Sequence, residues 1–168
     1  MASLNPSRPS PNALLWLLLS LDVIIFDQVS KWFALAHLQP YQPVAAIDGV
    51  LNWMLAFNPG AAFSFLADSG GWQRWFFTTL AIVVSAVLVV WLSRTARRDW
   101  RNAAPLALII GGAMGNVIDR ARLGHVVDFI DVYVGEHHWP AFNIADSAIC
   151  VGAVSMIAFS VFAKPAER

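Results

Sequence analysis

The chain has 168 residues, 58% of them hydrophobic, and a mean hydropathy of +0.58, which is too apolar for an ordinary soluble domain. Eleven basic and eleven acidic residues cancel, and with no basic stripe interleaved with aromatics a nucleic-acid partner is set aside. The single cysteine, Cys150, can form neither an internal disulfide nor a cysteine-rich metal site; inside an apolar run it reads as a small buried packing residue.

A bilayer core of about 30 Å needs about 20 apolar residues in helical form. Four stretches meet or approach that length, at 13–38, 75–92, 103–118 and 142–163. The expectation is a mainly α membrane protein, a single domain over 1–168 built as a four-transmembrane-helix bundle. Residues 1–12, rich in Pro, Ser and Asn, read as a loose tail. The run at 13–38 reads as a retained helix and not a cleaved signal peptide. It is too long for an h-region, and Asp27 and Lys31 interrupt it before the tripeptide Ala34-Leu35-Ala36 that mimics a cleavage site. Asp27 and Lys31 stand four apart with the acid first, which places them on one helix face. They form either a structural ion pair or a support for acids elsewhere. Asp22 has no local partner and is expected to face the bundle interior.

Residues 44–66 change character. Asp48-Gly49 is a turn signal, and Leu51, Trp53, Leu55 and Phe57 alternate with Asn52, Met54, Ala56 and Asn58 at strand period. Asn58-Pro59-Gly60 is a second turn. A small antiparallel sheet is expected here, lying outside the bilayer because open sheet edges cannot sit in lipid. Its apolar side offers a grip for an extended peptide or an acyl chain. The next residues, 67–74, read as an interfacial piece anchored by Trp72 and Trp75.

Arg94, Arg97, Arg98 and Arg101 crowd the connection between the second and third spans; Arg8 precedes the first span, and Lys164 and Arg168 follow the fourth. By the positive-inside rule this loop and both termini are cytoplasmic, which an even number of spans satisfies. The sheet and the stretch 119–141 then share the outer face.

The third span reads PLALIIGGAMGNVIDR. Gly111 and Gly115 permit close helix approach. Gly112, Asn116 and Arg120 repeat at intervals of four and share a face; that face lines a polar site, or Arg120 snorkels to the interface. Beyond it, Asp128 sits in VVDFI and Asp146 in FNIADSAICVGAV. An Asp at a membrane-helix centre costs roughly 2.5–3.5 kcal/mol to insert, so two acids in apolar sequence at one face point to use. Carboxyls close enough to share a proton titrate apart. One activates water against a peptide carbonyl and the other protonates the leaving amine, with the proton belonging to the pair. Asn143, three before Asp146, orients a carboxylate or the substrate. Asp131 reads as a solvated loop residue. Ser30 and Lys31 are adjacent and point apart on a helix, which spoils a serine–lysine dyad. His137-His138 lacks a third ligand, so no metal is expected, and no phosphate loop is present. A proton-coupled transporter needs polar groups along the whole crossing and commonly shows internal repeats; neither is found. An assembly subunit would not need paired acids.

Five boxes carry a resemblance: DQVSKW at 27–32, FNPGAAFSF at 57–65, GGAMGNVIDR at 111–120, GHVVDFID at 124–131 and FNIADS at 142–147. In this order, on a four-span chain, the sequence resembles the lipoprotein signal peptidases (signal peptidase II) from end to end. The resemblance implies a bacterial inner-membrane aspartyl endopeptidase with its site on the periplasmic side and no cofactor. It implies a diacylglyceryl-modified prolipoprotein as substrate, cut before the lipidated cysteine, membrane lipid as surroundings and globomycin as inhibitor. The family's catalytic pair falls on Asp128 and Asp146, and its supporting residues on Asp27, Lys31, Asn58, Gly112, Asn116, Arg120 and Asn143.

Overall fold

The computed structural model describes residues 11–60 and 71–162. Arg8, Lys164, Arg168 and the part of the expected outer β segment from residue 61 onward lie outside them. A short 3-10 turn, Ala13–Trp16, is capped by Asn12, whose side-chain oxygen accepts from the Leu14 N–H. It leads into α1 (Leu17–His37). Strands β1 (Val44–Ile47) and β2 (Leu51–Asn58) follow, then α2 (Trp72–Arg94), α3 (Trp100–Leu123), β3 (Val126–Val134), β4 (His137–His138) and α4 (Ile144–Val161). The chain is thus mainly helical with a small antiparallel sheet in the order β1-β2-β3-β4. The turn between β1 and β2 uses Gly49 at φ +80°, a left-handed conformation that glycine adopts without a Cβ clash.

Among the described residues, three helices are long and apolar enough to cross a membrane: Ala13–His37, Trp72–Arg94 and Ile144–Val161. Their outward surfaces are apolar and open, as at Phe26, Val87 and Ile157. The third helix, α3, is not among the three. It packs against α1, α2 and α4, so its surface is covered by protein and tolerates glycines, an amide and charged groups. Close approach depends on those glycines. A Cβ at Gly112 would collide with the Ala145 carbonyl oxygen, and one at Gly115 would lie 2.7 Å from an Asp27 carboxyl oxygen. At the end of the bundle that carries Thr95 and Arg97, Ala13, Leu92, Ala103, Leu106 and Ile110 form an apolar core. The Trp16 indole ties down the chain there by donating to the Arg97 carbonyl at 3.1 Å.

Two local readings are corrected. The strand alternation in β2 breaks: Asn52 and Leu55 are both buried while Trp53 is open. The cause is an irregularity in the β2–β3 pairing between Trp53 and Ala56, since an extra residue reverses which parity faces inward. Asp22 is exposed on α1 and does not face the interior, because the inward face of that helix runs through Ser20, Val23, Asp27, Lys31 and Ala34. The stretch after α3, which has no turn-bounded alternation, forms β3, the strand that carries Asp128.

Candidate active site

Asp128 lies on β3 opposite Ala56 of β2, and Asn58, two residues further along β2, donates to its Oδ2 at 3.3 Å. Asn58 itself is held by an Asx turn, its side-chain oxygen accepting from the Gly60 N–H at 3.0 Å. Asp146 lies in the first turn of α4, where the positive end of the helix dipole favours an anion. The Asn116 amide of α3 donates to its Oδ1 at 2.7 Å.

One residue joins the two acids. Asn143 is fully buried and is the N-cap of α4; its oxygen accepts from the Asp146 N–H at 2.9 Å. Its amide nitrogen donates to Asp128 Oδ1 at 2.7 Å and lies 3.2 Å from Asn116 Oδ1. Asp128 is 2% exposed. Burial, then the charge of Asp146, push its carboxyl up from 3.8 to about 7, against the hydrogen bonds from Asn58 and Asn143 and the charge of Lys31.

Behind this pair sits a second polar layer. Lys31 is buried and spends all three ammonium protons: on Asp27 at 2.8 Å, on Asp119 at 2.8 Å and on Asn116 Oδ1 at 3.1 Å. The other Asp27 oxygen accepts from the Ala145 N–H at 2.9 Å, a further cap on the start of α4. Asp119 accepts from the Val127 N–H at 3.1 Å and from the Gln28 amide at 2.9 Å. The layer therefore fixes the strand residue before Asp128 and the helix residue before Asp146.

A cavity of about 290 Å³ opens at Asp146, lined also by Asn58, Asn116 and Arg120 and, on its apolar side, by Val126, Ile149, Cys150 and the segment 139–142. Arg120 donates to the Gly60 carbonyl at 2.9 Å and stacks over Phe77, while its Nε has no hydrogen-bond partner among the described residues. Cys150 is exposed at this cavity and is not a buried packing residue, because it lies one helical turn beyond Asp146 on the same face.

The sequence-derived residues Asp27, Lys31, Asn58, Asn116, Arg120, Asp128, Asn143 and Asp146 thus meet in one cluster. Gly112 contributes space, letting α3 approach the first turn of α4. Asp119 and Gln28 were not read from sequence. Asp119 is three residues from Asn116, so a search at intervals of four passes over a neighbour that shares the same helix face. Asp131 is 1% exposed and bonded to Asn52 and His138, not a solvated loop residue; β3 continues past Asp128 and buries it. No group of three or more potential metal ligands is found among the described residues.

A bundle of apolar helices around a cavity that holds a carboxylate, a guanidinium and two amides in an otherwise apolar lining fits a membrane enzyme, and two solved bacterial membrane enzymes share the fold. One aligns with a TM-score of 0.81 and 28% identity over 96% of this chain and 99% of the other; the second with 0.75 and 29% over 89% and 94%. Sequence narrows the class. The family model described as Signal peptidase (SPase) II matches residues 19–162. The chain is 63% identical over 155 residues to the lipoprotein signal peptidase of Xanthomonas campestris pv. campestris, covering 92% of this chain and 93% of that one. It is 57% identical over 157 residues to that of Xylella fastidiosa, covering 93% and 94%. The chain belongs to the signal peptidase II family and is an aspartic endopeptidase of a bacterial membrane.

Proposed function

We propose that this enzyme removes the signal peptide from diacylglyceryl-modified prolipoproteins, cutting before the lipidated cysteine, with water activated by Asp128 and Asp146. The observation that carries the reading is Asn143, one buried amide that holds both acid-bearing elements. With one proton between the two acids, the ionised carboxylate takes a proton from water and the hydroxide attacks the scissile carbonyl. The protonated acid hydrogen-bonds the carbonyl oxygen, and the tetrahedral intermediate collapses as the pair protonates the leaving amine. Asn58, Asn116 and Asn143 fix the carboxyl groups. Lys31, paired with Asp27 and Asp119, supplies a positive charge that favours ionisation of one acid. Arg120, in the cavity lining, supplies a positive charge beside the substrate backbone.

The same reading places a single membrane domain in the inner membrane with four spans, α3 included. Arg94, Arg97, Arg98 and Arg101 are exposed and cluster between α2 and α3, which supports a cytoplasmic side there for both termini. The sheet and the acid pair then face the periplasm, where an exported precursor presents its cleavage site. The apolar walls of the cavity, beside open lipid-facing helices, suit an acylated substrate and globomycin in its place.

The test is cleavage of a diacylglyceryl-modified precursor and of its unlipidated twin, each with and without globomycin. Cleavage of the lipidated form alone, blocked by globomycin, is expected; equal cleavage of the twin overturns the substrate assignment.

A further inference from the structure

Asp131 is a buried carboxyl group that the hydrolytic chemistry does not use. It lies on β3, three residues beyond Asp128, and Asn52 of β2 donates to its Oδ2 at 2.9 Å. His138 Nδ1 lies 2.8 and 3.0 Å from the two Asp131 oxygens, so its N–H donates to the carboxyl. The His138 ring stacks on Tyr133 at 5.0 Å and 10°. The Tyr133 hydroxyl in turn accepts from the Gly49 N–H at the tip of the β1–β2 turn, at 2.9 Å. Asp131 and Tyr133 of β3 therefore hold one half-exposed imidazole, and Asn52 and Gly49 hold those two residues in turn.

The four residues after His138 form one wall of the cavity: Trp139, Pro140, Ala141 and Phe142 all line it. The wall is tied to β3 at its start, where the Trp139 N–H donates to the Val132 carbonyl at 2.8 Å, and at its end, where the Phe142 N–H donates to the Ile130 carbonyl at 3.0 Å. Strand β4 is only two residues long, too short to hold the first tie by ladder bonds alone. The Asp131–His138 pair sits directly beside that tie.

We propose that Asp131 and His138 are positioning residues that clasp the 139–142 wall and so set how tightly the apolar part of the substrate is held beside the acid pair. The inference rests on the cavity being the substrate site, as proposed above. The clasp touches neither Asp128 nor Asp146, so it acts on substrate affinity and leaves the rate of bond cleavage alone. His138 is half-exposed, so its removal creates no buried void; Asp131→Asn keeps a hydrogen-bonding group between both partners.

The experiment uses the full chain in lipid, as wild type, His138→Ala, His138→Gln and Asp131→Asn. Amide hydrogen exchange at Trp139, Ala141 and Phe142 is read beside KM and kcat for the diacylglyceryl-modified precursor. His138→Ala is expected to speed exchange in the wall about tenfold while residues 127–130 are unchanged. It is expected to raise KM about tenfold with kcat within twofold. His138→Gln, which restores an N–H donor, and Asp131→Asn should each recover most of both effects. Unchanged exchange in the wall, unchanged KM despite faster exchange, or a fall in kcat alone overturns the clasp. Failure of the substrate reading looks different: wild type does not cleave the precursor although His138→Ala still loosens the wall.

Discussion

The two ends of this bundle are built on opposite principles. At the end that carries Thr95, the helices meet through Ala13, Leu92, Ala103, Leu106 and Ile110, with no ionisable group in the cluster. At the other end they meet through Asp27, Lys31, Asn116, Asp119, Asn143 and Asp146, nearly all buried. The apolar end gains from packing and tolerates exchange of one hydrocarbon for another. The polar end is satisfied only as a set, because a missing partner strands a charge away from water. One end is for cohesion; the other holds reacting groups in place and relies on complete pairing to do so.

The largest expected effect is at the polar end. Asp128→Asn and Asp146→Asn should each lower cleavage of the lipidated precursor about 10³-fold or more while the purified protein stays folded. Turnover near the wild-type rate by either variant would dissolve the contrast between the ends. Next comes the ion layer. Lys31→Met leaves Asp27 and Asp119 without their cation and should cost about 3–5 kcal/mol of stability, measured as a loss of Tm in detergent. Leu106→Ala, at the apolar end, should cost about 2–5 kcal/mol yet leave kcat of the folded fraction unchanged. A fall in kcat for Leu106→Ala would show that the ends are coupled.

A smaller effect is expected from pH. The Asp128 carboxyl is raised from 3.8 to about 7 by burial and by Asp146, so the native state keeps a proton that the unfolded chain releases. Its contribution to stability is therefore fully present below about pH 4 and is lost as pH rises towards 7. Asp128→Asn lacks this loss, so its Tm should match wild type near pH 4 and exceed it at pH 8. Cleavage by wild type should fall above pH 7 as the pair gives up its shared proton. A Tm difference that does not depend on pH would remove the burial account of that carboxyl. The smallest effect is at Asp22, exposed and with no hydrogen bond or ion pair among the described residues: Asp22→Asn should move stability by no more than about 0.5 kcal/mol.

The helices and the first two strands were legible because hydrophobic run length, turn residues and period-two alternation are local signals. The Asp27–Lys31 pair was legible for the same reason, being four residues apart on one helix. Asp119 became a partner of Lys31 only through the packing of α3 on α1, a contact 88 residues apart in sequence, and no local pattern announces it. Strand β3 was hidden because VVDFIDVYV is buried on both faces along most of its length, so its apolar residues do not alternate with polar ones and its two aspartates fall three apart. Its concealment also misplaced Asp131, whose burial depends on Asn52 and His138. Asp22 was misread because a charge in an apolar run suggests an inward face, whereas the helix phase set by Asp27 and Lys31 turns position 22 outward.

Helices bathed in hydrocarbon have little hydrophobic reason to choose one rotation about their own axes over another. The three-way contact of Lys31 removes that freedom. Turning α1 by a single residue, about 100°, would carry the ammonium away from Asn116 and Asp119 and withdraw the Asp27 oxygen from the Ala145 N–H. The cation therefore indexes the azimuth of the first helix against the third and fourth, much as a key indexes a shaft.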